Sequence, residues 1–366
     1  MKNLVIIGKV FPEPNSTAAG SRMIQLMDLF LTQNYQITFL STATISENSF
    51  DLSSKNISFQ NIVLNDSSFD ELIKNLNPEI VIFDRFTTEE QFGWRVSEQV
   101  PNAVKILDTE DLHFLRTARE KAFKQNRNLE HLDLINDVFK REIASILRCD
   151  LSLIISEFEM NLLIEKFKID ENILFYLPLF GAVKKPKTSF SERKNFVSIG
   201  NFLHEPNWQT VLQLKKLWKD IKKQLPEAEI HIYGAYASEK VFQLHNEKEG
   251  FIIKGRAESV ETVFNTAKVL LAPIPFGAGI KGKLLESMQF GLPNVTSAVG
   301  AEAMHGNLDW NGFITDNETE FVEKAVLLYQ DENLWQKSQE NGYKIVENRF
   351  KKELFEPHFI HKIQEI

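Results

Sequence analysis

Three glycines and two lysines crowd into FGAGIKGKLLE, Phe276 to Glu286. Glycine lets backbone N–H groups approach an anion closely, and lysine adds charge, so the chemistry on offer is phosphate binding. Gly277, Gly279 and Gly282 spell G-x-G-x-x-G, the dinucleotide fingerprint. Gly277, Gly282 and Lys283 spell G-x-x-x-x-G-K, but Leu284 stands where a Walker A loop needs a hydroxyl for Mg²⁺. The fingerprint belongs after the first strand of its domain, and here it follows the fourth apolar run. Both motifs therefore fail on context, while the phosphate chemistry survives. The stretch lies between the apolar run KVLLAPI and the helical KLLESMQF, closed by Gly291 and Pro293. That is a strand-to-helix turn, where the helix dipole favours an anion. Glu286 follows Lys283 by three residues and shares its helix face. A carboxylate there suits the paired hydroxyls of a ribose. The competing reading is a plain glycine turn with two solvated lysines and an exposed glutamate.

A second set of groups sits in the first half. EPNSTAAGSR joins the first apolar run to a helix that Ser16 or Thr17 can cap. Gly20 keeps the first helical turn thin for a ligand, and Arg22 follows. IFDRF supplies Asp84, Arg85 and Phe86, and ILDTEDLHFLR supplies Asp108, Glu110, Asp111, His113 and Arg116. Four ionisable groups within six residues, Asp108 to His113, at a strand's carboxyl end form a candidate ligand-binding and catalytic group. The competing readings are an acidic helix start for Glu110 and Asp111 and a cap or packing role for His113.

The elements that must position these residues are short. β-branched apolar runs alternate with helical-period segments almost throughout, the pattern of βαβ units and parallel sheets. The strand candidates in the first half are LVIIGKVF, QITFLST, ISFQNIVL, EIVIFD, AVKILDTE, LSLIIS and NILFYLP. Leu112 to Arg148 reads as a pair of amphipathic helices. Periodicity lapses in LPLFGAVKKPKTSFSERKN and restarts with NFVSIG, AEIHIYG, GFIIKGR, KVLLAPI, LPNVTSA and NGFITD. The expectation is an α/β chain of two doubly wound Rossmann-like domains facing a cleft. The boundaries fall at residues 1–178 for the first domain, 179–194 for a linker and 195–348 for the second. The terminal helical sequence is interrupted near Asn341–Gly342 and around Asn348.

Composition excludes several classes. A net charge of −8 without a basic block argues against a nucleic-acid binder. The single cysteine, Cys149, forbids an intrachain disulfide, and no Cys/His metal spacing or D-x-D is present. No apolar run reaches transmembrane length, and MKNLVIIGKVF reads as a first strand rather than a signal peptide. A cytoplasmic protein, peripheral at most to the inner membrane face, is expected.

APIPFGAGIKGKLLESMQFGLPNVTSAVGAEAM, Ala272 to Met304, resembles the donor-binding segment of GT-B-fold glycosyltransferases of family 4, the glycosyl transferases group 1 family. FPEPNSTAAGSRMIQLMDLF, SIGNFLHEPNWQTV, IHIYGAYAS and FIIKGRAESVETVF are similar to other segments of that family in order and spacing. The resemblance covers most of the chain, least in 42–76 and 114–146. It implies a retaining hexosyltransferase that takes a UDP- or GDP-sugar to a glycan or lipid-linked acceptor, with no cofactor or metal required. By the same resemblance residues 1–178 bind the acceptor, residues 195–348 bind the nucleotide sugar, the helix over 349–366 packs back on the first domain, and Glu286 bonds the ribose. Gly279, Ile280 and Lys281 present amides to the diphosphate and sugar, and Lys283 adds catalytic charge there. Arg256 and Ala257 meet the base, and Gly234 opens a crevice after its strand. Asn201, Phe202 and Asn207 occupy phosphate-binding positions, and Gly20 faces the donor phosphates. Asp108 aligns roughly with a catalytic histidine. Arg22, Asp84, Arg85, Glu110, Asp111 and His113 stand on the acceptor side. Many members carry a second glutamate eight positions before the ribose-binding one, and here that position is Ala278. A nucleotide-sugar epimerase of the same architecture, or a non-catalytic partner subunit, are the alternatives.

Overall fold

A computed structural model describes residues 2–186 and 188–366. The chain divides into two compact units: Met1–Pro14, Ala19–Leu179 and Phe355–Ile366 form one, and Asn15–Ala18 with Phe180–Leu354 form the other.

In the first unit, strands β1 (Lys2–Gly8), β2 (Tyr35–Ser41), β3 (Ser58–Asn61), β4 (Ile80–Asp84), β5 (Val104–Asp108), β6 (Leu151–Ile154) and β7 (Leu174–Tyr176) form a parallel sheet ordered β3-β2-β1-β4-β5-β6-β7. Their neighbours in sequence are α1 (Ala18–Thr32), α2 (Ser68–Leu76), α3 (Phe86–Gln99), α4 (His113–Lys124), α5 (Asp137–Arg148) and α6 (Glu157–Asn161). β4 is buried along its whole length, as expected of a strand with both faces covered. The expected helix pair over Leu112 to Arg148 is α4 and α5.

In the second unit, β8 (Lys194–Ile199), β9 (Ile230–Tyr233), β10 (Phe251–Gly255), β11 (Ala267–Ala272), β12 (Asn294–Thr296) and β13 (Gly312–Ile314) pair in parallel in the order β10-β9-β8-β11-β12-β13. The helices are α7 (Glu205–Gln224), α8 (Glu239–Phe242), α9 (Val260–Thr266), α10 (Gly282–Gln289), α11 (Ala298–Ala301), α12 (Glu318–Gln330) and α13 (Glu332–Ile345). The last helix, α14 (Glu356–Glu365), belongs to the first unit: Phe359 lies 5.6 Å from Phe30 and 5.7 Å from Phe175, ring centre to ring centre.

One expected break is absent. The sequence at Asn341–Gly342 reads as an interruption, yet α13 runs through it. Gly342 is there for close approach, since a Cβ would meet the Asn311 side chain at 2.6 Å, and the Asn341 amide donates to the Trp310 carbonyl. The helical run instead breaks at Asp331, which caps α13 by accepting from Leu334 N.

Strand order reverses direction between β1 and β4 in one sheet and between β8 and β11 in the other. Ligands of doubly wound sheets bind beyond the carboxyl ends at such switch points. Gly8–Lys9 and Asp84 end the strands at the first switch point. Gly200 and the opening glycine-rich loop stand at the second.

Candidate active site

In the second unit, β11 leads through the glycine loop to α10. Gly279 has φ +63°, a left-handed turn that swings the chain into the helix. Lys281 precedes α10, and its ammonium donates to the carbonyls of Gly279 at 2.7 Å and Ala278 at 3.1 Å. The Lys283 ammonium reaches across to the start of α7, donating to Asn207 Oδ1 at 2.7 Å. The Asn207 amide in turn donates to the Asn201 carbonyl at 2.8 Å. A Cβ on Gly200 would lie 2.6 Å from Asn207 Cγ and 2.8 Å from Lys283 Nζ, so a side chain there would displace this pair.

Burial sets the charges. Lys283 is pulled down to about 8 by desolvation first, helped by Lys281 and opposed by Glu286. Glu286 is pushed up to about 7 by desolvation, against Lys184 and then Lys283. Near neutral pH the two groups are each close to a change of protonation state, an arrangement typical of working sites.

Other expected donor residues are placed differently from one another. Asn201 is buried, and its side-chain oxygen accepts from Leu203 N at 2.9 Å. Gly234 does not open an empty crevice: a Cβ there would strike the Phe202 ring and the Gly200 carbonyl at 2.2 Å. Its lack of a side chain admits Phe202. Beyond β10, Arg256 is exposed and Ala257 is buried. Ile280 and Ala278 are buried beside Gly279.

The first unit gathers its expected residues at the ends of β4 and β5. Asp84 and Asp108 are direct partners in the ladder, so their carboxyls stand side by side. Asp84 accepts from Lys9 N at 3.0 Å and from the Arg85 guanidinium at 2.8 Å. Burial raises its pKa, Arg85 opposes this, and Asp108 adds to it. Arg22, from α1, is buried and donates through Nε to Asp108 at 2.8 Å and through a terminal nitrogen to the Leu177 carbonyl at 2.6 Å. Its charge is desolvated, yet Asp108 and Glu110 hold it protonated above the usual arginine range. Glu110 is pushed up to about 8 by burial and by Asp108, with Asp84 adding and Arg85 and Arg22 opposing. One oxygen of each of Asp84, Asp108 and Glu110 is buried without a hydrogen-bond partner. Arg85 and Glu110 have φ +71° and +63°, so both strand ends turn through strained backbone at this cluster.

Asp111 and His113 are committed elsewhere. Asp111 pairs with Arg116 and sits below the usual carboxylate range: burial raises it, but Arg116 and His113 pull it down. The His113 ring nitrogen Nδ1 lies 3.0 Å from the Asp111 carbonyl, and the ring packs edge-on to Phe86. Its backbone N and that of Phe114 donate to the two oxygens of Glu142, which closes the start of α4. The packing reading of His113 fits this geometry, while the cap at the start of α4 comes from Glu142. The space beside Gly20 is filled by the Glu13 backbone, 2.4 Å from where a Cβ would stand. The chain's own loop, rather than an open approach, accounts for that glycine.

Sequence reasoning misses Lys9, Glu142, Lys184, Arg193 and Gly200. Lys9 reads as a solvated surface lysine, Glu142 as one acid on an amphipathic helix, and Lys184 and Arg193 as scattered linker charge. Gly200 alone carries a signal, as the glycine preceding the N-x-x-x-x-P-N of SIGNFLHEPNW. Among the described residues, no three His, Cys, Asp or Glu are grouped to hold a metal ion, and no helix is long and apolar enough to cross a membrane.

Residues 193–331 match the family model described as Glycosyl transferases group 1. No match was found among curated protein sequences. Solved structures similar to the whole chain include a mutant of S. aureus TarM in complex with Fondaparinux, alpha-GlcNAc-glycerol and UDP (TM-score 0.75, 10% identity, covering 100% of this chain and 99% of that one). The pneumococcal O-GlcNAc transferase GtfA in complex with UDP and GlcNAc is similar at TM-score 0.73 and 13% identity, covering 100% of this chain and 99% of that one. WaaG, a glycosyltransferase involved in lipopolysaccharide biosynthesis, is similar at TM-score 0.62 and 10% identity, covering 94% and 95%. The family match thus covers residues 193–331 of the second unit, and the fold of the whole chain is that of these glycosyltransferase structures.

Proposed function

We propose that the chain transfers a sugar, with retention of anomeric configuration, from a nucleotide-diphosphate sugar to the hydroxyl of a glycan or lipid-linked acceptor. The observation that carries the donor half is the pairing of Lys283 and Glu286, two oppositely charged, desolvated groups one turn apart on a helix that opens at a glycine loop. Lys283, Lys281 and the amides at Gly279 and Ile280 would take the diphosphate, and Glu286 the ribose hydroxyls. Two similar structures are complexes with UDP, which supports a UDP-sugar as the first donor to try, with a GDP-sugar second.

In the reaction the bond from the anomeric carbon to the phosphate oxygen breaks on the face where the acceptor oxygen attacks. The acceptor's proton passes to the leaving phosphate. Lysine ammonium and backbone amides supply the charge that the leaving diphosphate needs, without a metal. Asp108, Asp84, Arg85, Glu110 and Arg22 would form the acceptor-side group. Asp111 and His113 would shape it through the start of α4. We place the protein in the cytoplasm, peripheral to the membrane where its acceptor is lipid-linked.

A thermal-shift panel of nucleoside diphosphates and nucleotide sugars tests the reading. Stabilisation by one base series, lost in Glu286→Ala and Lys283→Ala, is expected. If no nucleotide stabilises the protein at about a thousand times a micromolar Kd, where linkage gives roughly 4 kcal/mol, the donor reading is wrong. Conversion of a nucleotide sugar to its epimer with no acceptor present would favour an epimerase instead.

A further inference from the structure

We propose that Lys281 is a positioning residue of the diphosphate site: by holding the carbonyls of Ala278 and Gly279 it sets the N–H groups of Gly279 and Ile280 for the anion. The inference rests on the reading of this loop as the diphosphate site and says how the loop is kept ready.

The Lys281 side chain folds back over its own loop. Its ammonium donates to the Gly279 carbonyl at 2.7 Å and to the Ala278 carbonyl at 3.1 Å. Two of its donor hydrogens are thereby given to the backbone. The stem needs room to reach these carbonyls, and Gly277 leaves it: a Cβ there would stand 3.3 Å from Lys281 Cε.

A trans peptide points its C=O and N–H in opposite directions. The Ala278 carbonyl shares its peptide with the Gly279 N–H, and the Gly279 carbonyl shares its own with the Ile280 N–H. Both peptides are trans, so drawing the two carbonyls onto one ammonium turns both N–H groups to the opposite side of the loop. Gly279, between them, is left-handed at φ +63°, and in helical conformations of either hand successive peptides align rather than alternate. Successive N–H groups turned to one side form an anion-binding concavity. Ile280 is buried, and among the described residues no acceptor takes its N–H. A backbone N–H is an obligatory donor, so this one is suited to a ligand oxygen.

Lys281 therefore works at one remove from the phosphates. Without its ammonium the two peptides can rotate, and a rotation that carries an N–H away from the anion loses a charge-assisted bond. With it, the donors are set before the diphosphate arrives and need no reordering as charge develops on the leaving group.

The test uses the one Gly–Ile pair in the sequence, Gly279–Ile280. Full-length chain labelled with carbonyl-¹³C glycine and ¹⁵N isoleucine gives a single carbon-filtered amide signal in nuclear magnetic resonance, that of the Ile280 N–H. Saturation with UDP or with GDP should move this proton downfield as it meets a phosphate oxygen. In Lys281→Met, which keeps the length of the stem, most of that movement at saturation should be lost, and calorimetric affinity should fall by about tenfold, the loss of one charge-assisted bond. Lys281→Gln, too short to reach both carbonyls, carries the same expectation where the methionine variant does not fold. A full-sized movement of the bound Ile280 signal in these variants overturns the positioning role whatever the affinity, because an ionic contact or a packing role would lower affinity and leave the bound amide where it was. A wild-type Ile280 signal that stays still while calorimetry shows nucleotide bound overturns the role of Lys281 and leaves the donor reading standing. Absence of binding of both UDP and GDP by the wild-type chain overturns the donor reading with it.

Discussion

Lys283 on α10 donates to Asn207 on α7 at 2.7 Å, directly over the backbone of Gly200. Helix starts that follow the two strands at the switch point, β11 and β8, are thus tied by one ammonium. The bond also parks the cation in a desolvated place, where the proposed diphosphate would meet it. Gly200→Ala should evict this pair, because the new methyl would overlap both side chains. We expect nucleoside diphosphate affinity to fall by about tenfold or more in Gly200→Ala and in Lys283→Ala, the loss of a charge-assisted bond. Asn207→Ala should cost less, since Lys283 survives. Calorimetry reads the affinities, and unchanged binding in Gly200→Ala would show that Lys283 does not work from this position.

Glu110 makes stability depend on pH in a defined direction. Its folded carboxyl titrates at about 8 against an ordinary value of 4.5. The folded chain thus keeps a proton that the unfolded chain loses, and stability falls as pH rises from about 4.5 to about 8. The groups facing it are Asp108, Arg85, Asp84 and Arg22, and the first of these opposes its ionisation most after burial itself. Glu110→Gln keeps the shape and removes the titration. Urea unfolding at the two ends of that window should show a pH slope in the wild type larger than in the variant, by on the order of 2 kcal/mol after screening and coupling. Parallel slopes would mean that Glu110 is ionised in the folded protein.

Much of this is legible in the sequence because the signals are local. Strand runs such as IVIFD and KVLLA need only their own apolar side chains, and the glycine loop announces its turn by composition. Arg22 and Asp108 are separated by 86 positions, so no window contains the pair. Charge in the linker is illegible for a related reason. Arg193 is fully buried without a carboxylate, its guanidinium donating to the carbonyls of Phe264, Ala267 and Phe290 at the ends of α9 and α10. Helix ends can stand in for an acid, and nothing in the spacing of SERKN says which lysine or arginine finds them. Glycines in the sequence point too readily toward ligands. Gly20 and Gly234 both face the chain's own atoms, because close approach within the protein leaves the same mark in the sequence as close approach to a ligand.

The buried pair of Arg22 and Asp108 separates structure from function in the first unit. Each side chain is almost wholly removed from water, with charged atoms 2.7 Å apart. Removing one partner strands the other, which costs about 3–5 kcal/mol, whereas replacing both with apolar groups of similar size is often neutral. Arg22→Met should therefore destabilise strongly, and Arg22→Met combined with Asp108→Leu should recover most of the loss in chemical denaturation. If Asp108 takes part in sugar transfer, the recovered double variant should fold and bind nucleoside diphosphate normally yet transfer sugar at a rate lower by about a hundredfold or more, the usual contribution of a positioned catalytic group. A double variant that regains both stability and transfer would assign the pair to scaffolding alone, and the catalytic search would move to Asp84, at the end of β4, and Glu110, just past the end of β5, each with one buried oxygen lacking a hydrogen-bond partner.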